Sequence, residues 1–265
     1  MSIQLENTPQ QSPPVPAYVL GVRVDRLSQR QALDMIEQLI ALRRAGENAL
    51  SCQQIVTVNT EFVMAAQQDT DFRQAINSAA LVVADGIGVV WATRFVGFPA
   101  PERITGTDTL VALAKRCAEK GYRLYLLGAA PGVAEQTGVC LQTLAPGLQI
   151  AGTYAGSPAP AEEAAILERI RMANADVLCV AYGAPAQDLW IQRNLSRLPA
   201  AVAMGVGGAY DFLSGRQRRA PRAMQSMGLE WLYRLYREPW RWKRMLALPR
   251  FILQVLLKGR KKHGS

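Results

Sequence analysis

The chain has 265 residues, 49% of them hydrophobic and 19% charged, and a formal net charge of +9. That composition suits one large domain or two small ones with a real core, and it excludes an intrinsically disordered chain. The four cysteines, Cys52, Cys117, Cys140 and Cys179, form no CxxC, and the one histidine, His263, lies at the extreme C-terminus, which excludes zinc-ribbon, thioredoxin-type, Ser-His-Asp and multi-histidine metal chemistry.

Residues 1–17 are rich in Gln, Pro and Ser and read as a disordered lead-in. Tyr18–Val24 reads as a first strand, and Ser28–Arg44 as a helix with apolar residues at helical spacing and Ser28 placed to cap it. The β-branched run Ile55-Val56-Thr57-Val58 predicts a strand, and Thr60–Ser78 one helix. Ala80–Val83 is an apolar run ending at Asp85-Gly86. A helix over Thr107–Lys120 follows, with Thr107 or Asp108 as its cap, then a strand over Arg123–Leu127 and a helix to Leu144. Further strands are predicted over Leu148–Tyr154, Val177–Ala181 and Ala200–Val206, with helices over Ala161–Ala173 and Asp188–Leu195 between them. Strands alternating with helices at this spacing are the pattern of a Rossmann-like, doubly wound α/β fold with a mainly parallel sheet. Several strands end in Gly or Asp, at the edge where open α/β sheets bind ligands.

Charge is unevenly spread. Residues 1–210 hold 16 Lys and Arg against 18 Asp and Glu, whereas residues 211–265 hold 14 against 3. A near-neutral body with a strongly basic tail points to a polyanion: nucleic acid, an anionic membrane or a diphosphate ligand. Apolar stretches such as Phe251–Leu257 fall far short of the ~20 residues of a membrane span, and the N-terminus lacks the pattern of a signal peptide. The expectation is a protein that stays in the cytoplasm, either free or lying on a membrane. Three segments follow: the lead-in 1–17, an α/β core 18–227, and a basic, aromatic appendage 228–265.

Individual motifs are open to two readings each. Asp85 is placed to act as a general base at a cleft, or is a turn residue before Gly86. Leu124 to Gly132 is a strand, a Gly-rich turn and a helix start that either cradles a diphosphate or is an ordinary βα turn; it matches neither the dinucleotide fingerprint nor a P-loop. Asp69-Thr-Asp71 has the form of a metal-holding DxD, but residues two apart on a helix do not share a face, so a helix cap is the better reading. Arg103 is placed to neutralise a phosphate or is a solvated loop residue; Gln187 is suited to sugar recognition or is a loop glutamine. In the appendage, Arg234, Arg237, Arg241 and Arg244 fall within about 80° on a helical wheel, beside a broad apolar and aromatic face, with Pro239 a break between two helical pieces. Trp and Tyr with Arg and Lys suit an anionic headgroup boundary; the same mixture also suits RNA.

In order along the chain, Thr57-Val-Asn59, Val83-Ala-Asp85-Gly86, Glu102-Arg103-Ile-Thr-Gly106, Leu127-Gly128, Gly183-Ala-Pro-Ala-Gln187, Gly205-Val-Gly-Gly-Ala-Tyr-Asp211, Arg219-Ala-Pro221 and Gly228-Leu-Glu-Trp-Leu-Tyr-Arg234 resemble the WecG/TagA/CpsF family of bacterial glycosyltransferases, glycosyltransferase family 26. The resemblance runs from about Gly21 to Leu248. It implies an inverting, metal-independent transfer of a sugar, N-acetylmannosamine or its uronic acid in the best-known members, from a UDP-sugar to an undecaprenyl-diphosphate-linked sugar. It implies no cofactor, and a peripheral position on the inner face of the plasma membrane. The partners implied are a nucleotide-sugar donor, a lipid-linked sugar diphosphate acceptor and an anionic membrane surface, with no nucleic acid and with homo-oligomerisation left open. Carried over residue by residue, the catalytic group is Asp85 with Thr57, Asn59 and Gln187. Arg103, Arg234, Arg241 and Arg244 become substrate-binding; apart from the carry-over, Gly128, Gly207, Gly208 and Asp211 are expected as nucleotide contacts at the strand ends. Asp188 stands where members commonly carry Glu. Two alternatives remain: another donor such as UDP-glucose in exopolysaccharide assembly, and a non-enzymatic RNA-binding module.

Overall fold

The computed structural model of the protein describes residues 14–46 and 51–258. Most of the expected lead-in therefore lies outside the described residues, as does the basic segment after Lys258. The chain forms a hairpin of β1 (Ala17–Val19) and β2 (Val22–Val24), then α1 (Gln29–Arg44), β3 (Gln53–Val58), α2 (Thr60–Ala65), α3 (Thr70–Ser78), β4 (Leu81–Ala84) and α4 (Ile87–Phe95). It continues with α5 (Gly106–Lys120), β5 (Arg123–Gly128), α6 (Val133–Leu144), β6 (Gln149–Tyr154), α7 (Glu163–Ala173), β7 (Val177–Ala181), α8 (Ala186–Asn194), β8 (Val202–Gly205) and α9 (Ala209–Leu213). The basic end folds into α10 (Arg222–Ser226), α11 (Glu230–Arg237), a 3-10 turn at Pro239–Arg241, α12 (Trp242–Met245) and α13 (Ala247–Lys258).

Six strands, in the order β4-β3-β8-β7-β5-β6, make one sheet in which every pairing is parallel. The expected doubly wound α/β fold is what forms. Parallel strands need crossovers, and the helices supply them on both faces. On one face, alternate strand residues such as Ile55, Val83, Leu126 and Met204 pack with Ile36, Leu110 and Tyr210 from α1, α5 and α9. On the other, Val56, Val58, Val82 and Ala84 pack with Phe62, Phe72, Val89 and the hairpin, while Leu178 and Val180 pack with Ile166 and Trp190.

Local chemistry explains several boundaries. Ser28 caps α1 as expected and completes a reciprocal capping box with Gln31. The expected single strand Tyr18–Val24 is instead a hairpin: Leu20 and Gly21 both take positive φ, the backbone of a tight two-residue turn. Apolar residues run through both arms, so the sequence hides the reversal, although the buried positions change parity at the turn, from Ala17 and Val19 to Val22 and Val24. The expected helix Thr60–Ser78 is two helices, because the Asp69 side chain caps a new start at the Phe72 amide. Asp69 thus serves as the cap expected of it. For α5, the cap is Thr105 rather than Thr107 or Asp108: Thr105 Oγ1 accepts the Asp108 amide at 3.1 Å and donates to Asp108 Oδ2 at 2.7 Å.

Pro239 does divide the basic end into separate pieces. The last piece packs back onto the body. Phe251 and Val255 of α13 are fully buried among Phe62, Val63 and Val89 of α2 and α4. No helix among the described residues is long and apolar enough to cross a membrane.

Candidate active site

All six strands run the same way, so their carboxyl ends share one edge. Register then decides which residues meet there. Thr57 of β3 lies opposite Val83 of β4, and Val58 opposite Ala84, so Asn59 and Asp85 leave the sheet side by side. Gly128 pairs with Ala181 and Val180 with Gly205, which brings the turns after β5, β7 and β8 to the same edge. Strand alternation puts Thr57 and Asp85 on the face carrying α5, two residues beyond core positions Ile55 and Val83.

There the N-terminus of α5 meets them. The Gly106 amide donates to Asp85 Oδ2 at 3.2 Å. A methyl group on Gly106 would stand 3.3 Å from Thr57 Oγ1 and 3.9 Å from Asp85 Oδ2, so glycine is what lets the helix end approach both. Burial pushes the Asp85 carboxyl up to about 6; the Gly106 amide, Arg103 and Arg234 oppose this, and Glu230 adds to it. Asp85 is half-buried and faces a cavity.

Asp85 stands at the junction of two chambers. One, of about 390 Å³, is polar and lined by Thr57, the turns after β5, β7 and β8, Gln187 and Asp211. The other, of about 230 Å³, lies between the body and the basic end and includes Ile87, Arg103, Trp231, Met245 and Leu248. Asn59, Glu61, Asp85, Thr107, Phe212 and Arg234 line both.

Most of the expected site residues converge here. Asn59 caps α2 by accepting the Phe62 amide at 3.0 Å, which leaves its amino group for the chambers it lines. Gln187 is not in a loop. Helix α8 starts at Ala186, two residues earlier than the pattern predicted, and buries Gln187 in its first turn. Its Oε1 accepts the Gly207 amide at 3.1 Å. Gly208 and Asp211 line the polar chamber, and Arg234 lies over the Phe212 ring at 4.7 Å. Arg103 Nη1 is ion-paired with Glu230 Oε2 at 2.9 Å.

Gly128 does not line either chamber; Ala129 and Ala130 do. Gly128 has φ +99°, and a Cβ there would meet the Ala181 backbone at 2.8 Å, so the glycine is held for close strand approach. The side chains of Arg241 and Arg244 lie outside the described residues.

Sequence reasoning assigned no role to Arg219 and Glu230, although both stand in the quoted motifs. Arg219 grips Asp108 with two nitrogens, at 2.5 and 2.9 Å, and Glu230 with its Nε at 3.1 Å. Glu230 thus ties Arg219 and Arg103 to α11. The Arg219 contact holds the Asp108 carboxyl below its usual range. The signal available was the clustering of charged residues around Pro221 and Trp231; their pairing needs the fold. Among the described residues no group of three or more His, Cys, Asp or Glu converges to hold a metal ion.

A doubly wound sheet with a half-buried carboxylate between a polar chamber and a chamber covered by a basic, aromatic end is the architecture of a ligand-binding α/β enzyme. Residues 17–265 match the Glycosyl transferase WecG/TagA/CpsF family, and the chain belongs to that family; it is a glycosyltransferase. A relative from Bacillus spizizenii (strain ATCC 23059 / NRRL B-14472 / W23) is 36% identical over 202 residues, 76% of this chain and 78% of that protein. One from Bacillus subtilis (strain 168) is 36% identical over 208 residues, 78% of this chain and 80% of that protein. Both are named N-acetylglucosaminyldiphosphoundecaprenol N-acetyl-beta-D-mannosaminyltransferase.

Proposed function

We propose that this chain transfers N-acetylmannosamine or a close derivative from a UDP-sugar to N-acetylglucosamine carried on a polyprenyl diphosphate, working on the inner face of the plasma membrane. The single observation that carries the mechanism is Asp85 at the junction of the two chambers, with its carboxyl raised to about 6. The names of the two relatives support the choice of sugar and acceptor.

The donor occupies the polar chamber, where the backbone turns after β5, β7 and β8 face its diphosphate, and Gln187, Thr57 and Asn59 hold its sugar. The acceptor enters the chamber under α11 and α12. Asp85 takes the proton from the acceptor hydroxyl as that oxygen bonds to C1 of the donor sugar. The C1–O bond to the nucleoside diphosphate breaks, the electron pair leaves with the diphosphate, and C1 inverts. Arg103, Arg234 and the α5 N-terminus offset the charge that develops on the leaving group. Arg241 and Arg244 belong to this group by family likeness.

The test is release of UDP by purified protein from UDP-N-acetylmannosamine, UDP-glucose and other UDP-sugars, with and without a lipid-diphosphate N-acetylglucosamine acceptor, in the presence of EDTA. Acceptor-dependent release with UDP-N-acetylmannosamine is expected. Preference for UDP-glucose would correct the donor; no release from any donor would sink the reaction as written.

A further inference from the structure

Beside Gln187 lies a carboxyl group that the proposed reaction does not use. Asp188 is the next residue in the first turn of α8 and is 1% exposed. Neither of its carboxyl oxygens makes a well-formed hydrogen bond, and the side chain that acts on it is that of Gln187. A buried polar group in that state asks for an explanation, since burial without a partner disfavours the folded chain. The ordinary remedy, an apolar residue, is not what the sequence has.

The surroundings supply a reason. A Cβ built on Gly205 would stand 2.8 Å from Asp188 Oδ1 and 2.5 Å from Gln187 Nε2. Both side chains therefore share the space that a side chain on β8 would fill. The other end of the Gln187 amide is already fixed, with Oε1 on the Gly207 amide. An amide held at one end only can turn over and exchange its acceptor for its donor. A carboxylate beside Nε2 prevents that, because it accepts and never donates while ionised. The position also favours a negative charge, since α8 starts one residue before Gln187. Burial pushes the Asp188 carboxyl up to about 7, and the contact with Gln187 opposes that rise.

We propose that Asp188 is a positioning residue for Gln187: its carboxylate receives one N–H of the Gln187 Nε2 group, locks the amide with Oε1 on Gly207, and leaves the second N–H directed at the donor. The contact with Gln187 is present in the free chain and shortens when the donor fills the chamber, as active-site contacts tighten on binding. The consequence for transfer rests on the reading of Gln187 as a donor contact; the locking of the amide does not.

The experiment uses the full chain with Asp188→Asn, Gln187→Ala and the double variant. Asn keeps the size of Asp but removes the charge. Three quantities are read: the melting temperature, KM and kcat for UDP-N-acetylmannosamine, and the side-chain amide NMR signals of Gln187, identified by their loss in Gln187→Ala. Asp188→Asn is expected to melt at or above the wild type, because a carboxyl whose charge burial disfavours is replaced by a neutral amide. Its donor KM should rise roughly tenfold with kcat changed by less than about twofold, the size of one lost charge-assisted hydrogen bond. The double variant should be no worse than Gln187→Ala alone, since two residues that act as a unit are not additive. In wild type the Gln187 amide signals should be shifted away from those of free glutamine, and Asp188→Asn should return them. Should Asp188→Asn fold poorly, Asp188→Ala, which is smaller and equally without charge, replaces it.

An unchanged donor KM in Asp188→Asn, or an equal loss when Gln187 is already alanine, would overturn the link between the two residues. If the wild type transfers no sugar at all, the functional reading has failed, and the NMR signals decide the positioning claim by themselves: unshifted Gln187 signals overturn it.

Discussion

The Asp85 carboxyl is raised to about 6, chiefly by burial, and this has two consequences of opposite use. For catalysis the group must be ionised to accept a proton. Transfer should therefore fall about tenfold per pH unit below about 6 and level off above it, in a pH profile of kcat/KM. For stability the sign runs the other way. The folded chain holds the proton more tightly than the unfolded chain, so the stabilising contribution is complete below the ordinary carboxylate range and is lost as pH rises through 6. Asp85→Asn should then abolish transfer while raising stability at pH 8 by roughly 2 kcal/mol, with no such gain at pH 4, in paired thermal melts. Equal melting curves at both pH values would contradict the assigned environment. Glu230 adds to the rise at Asp85 and pairs with Arg103, so Glu230→Gln should shift the acid limb of the profile downward by less than about one pH unit. The sequence exposed Asp85 and Thr57 because a strand followed by Asp-Gly, and simple alternation, fix where such residues point. It hid the pairing of Arg103 with Glu230, since 127 positions separate them and only the folded contact joins them.

At the scale of an element, the N-terminus of α5 is the part on which the site hangs. Thr105 caps it, Gly106 donates to Asp85, and Arg219 fastens its first turn through Asp108. Thr105→Ala removes the cap and should cost about 1 kcal/mol, a fall of roughly 2–4 °C in melting temperature for a chain of this size. The same change should raise the acid limb of the transfer profile, because a loosened helix end gives up the amide that holds the Asp85 carboxyl down. A lower melting temperature with an unmoved pH profile would mean that the helix end does not tune Asp85. The element pattern was legible wherever periodicity and caps agreed, as in α1 with Ser28 and Gln31. It failed for α4, whose start has no side-chain cap and whose residues Val89, Val90, Ala92 and Thr93 are buried without a polar face to give a helical stripe. It failed again at the hairpin, where the largely apolar run of Tyr18–Val24 continues across the turn at Leu20 and Gly21.

For the whole molecule, the charge split and the packing of the basic end must be taken together. Its 14 basic residues against 3 acidic ones suit an anionic surface. Several of its aromatic side chains are strongly exposed, with Tyr236 at 81% and Trp240 at 72%. Yet this end is not a detachable tail. Glu230, Trp231 and Arg234 line the cavity on one side of α11, while Phe251 and Val255 are part of the core beside α2 and α4. Deleting everything from residue 228 would therefore strip the cavity wall and open the core, and lost activity would say nothing about membranes. Phe251→Ala alone should cost roughly 3–5 kcal/mol. The informative change is on the outer face: Tyr236 and Trp240 both to Ser, neither of which lines the two chambers. Sedimentation with vesicles containing anionic lipid should show affinity reduced roughly tenfold or more, since two interfacial aromatics are lost. The residual binding should remain salt-sensitive, because the basic residues are intact. Melting temperature and UDP release with a short-chain, water-soluble acceptor should stay near wild type, whereas transfer to the same acceptor headgroup on a full-length lipid in vesicles should fall with binding. Vesicle binding unchanged by the double substitution would remove Tyr236 and Trp240 from the membrane contact.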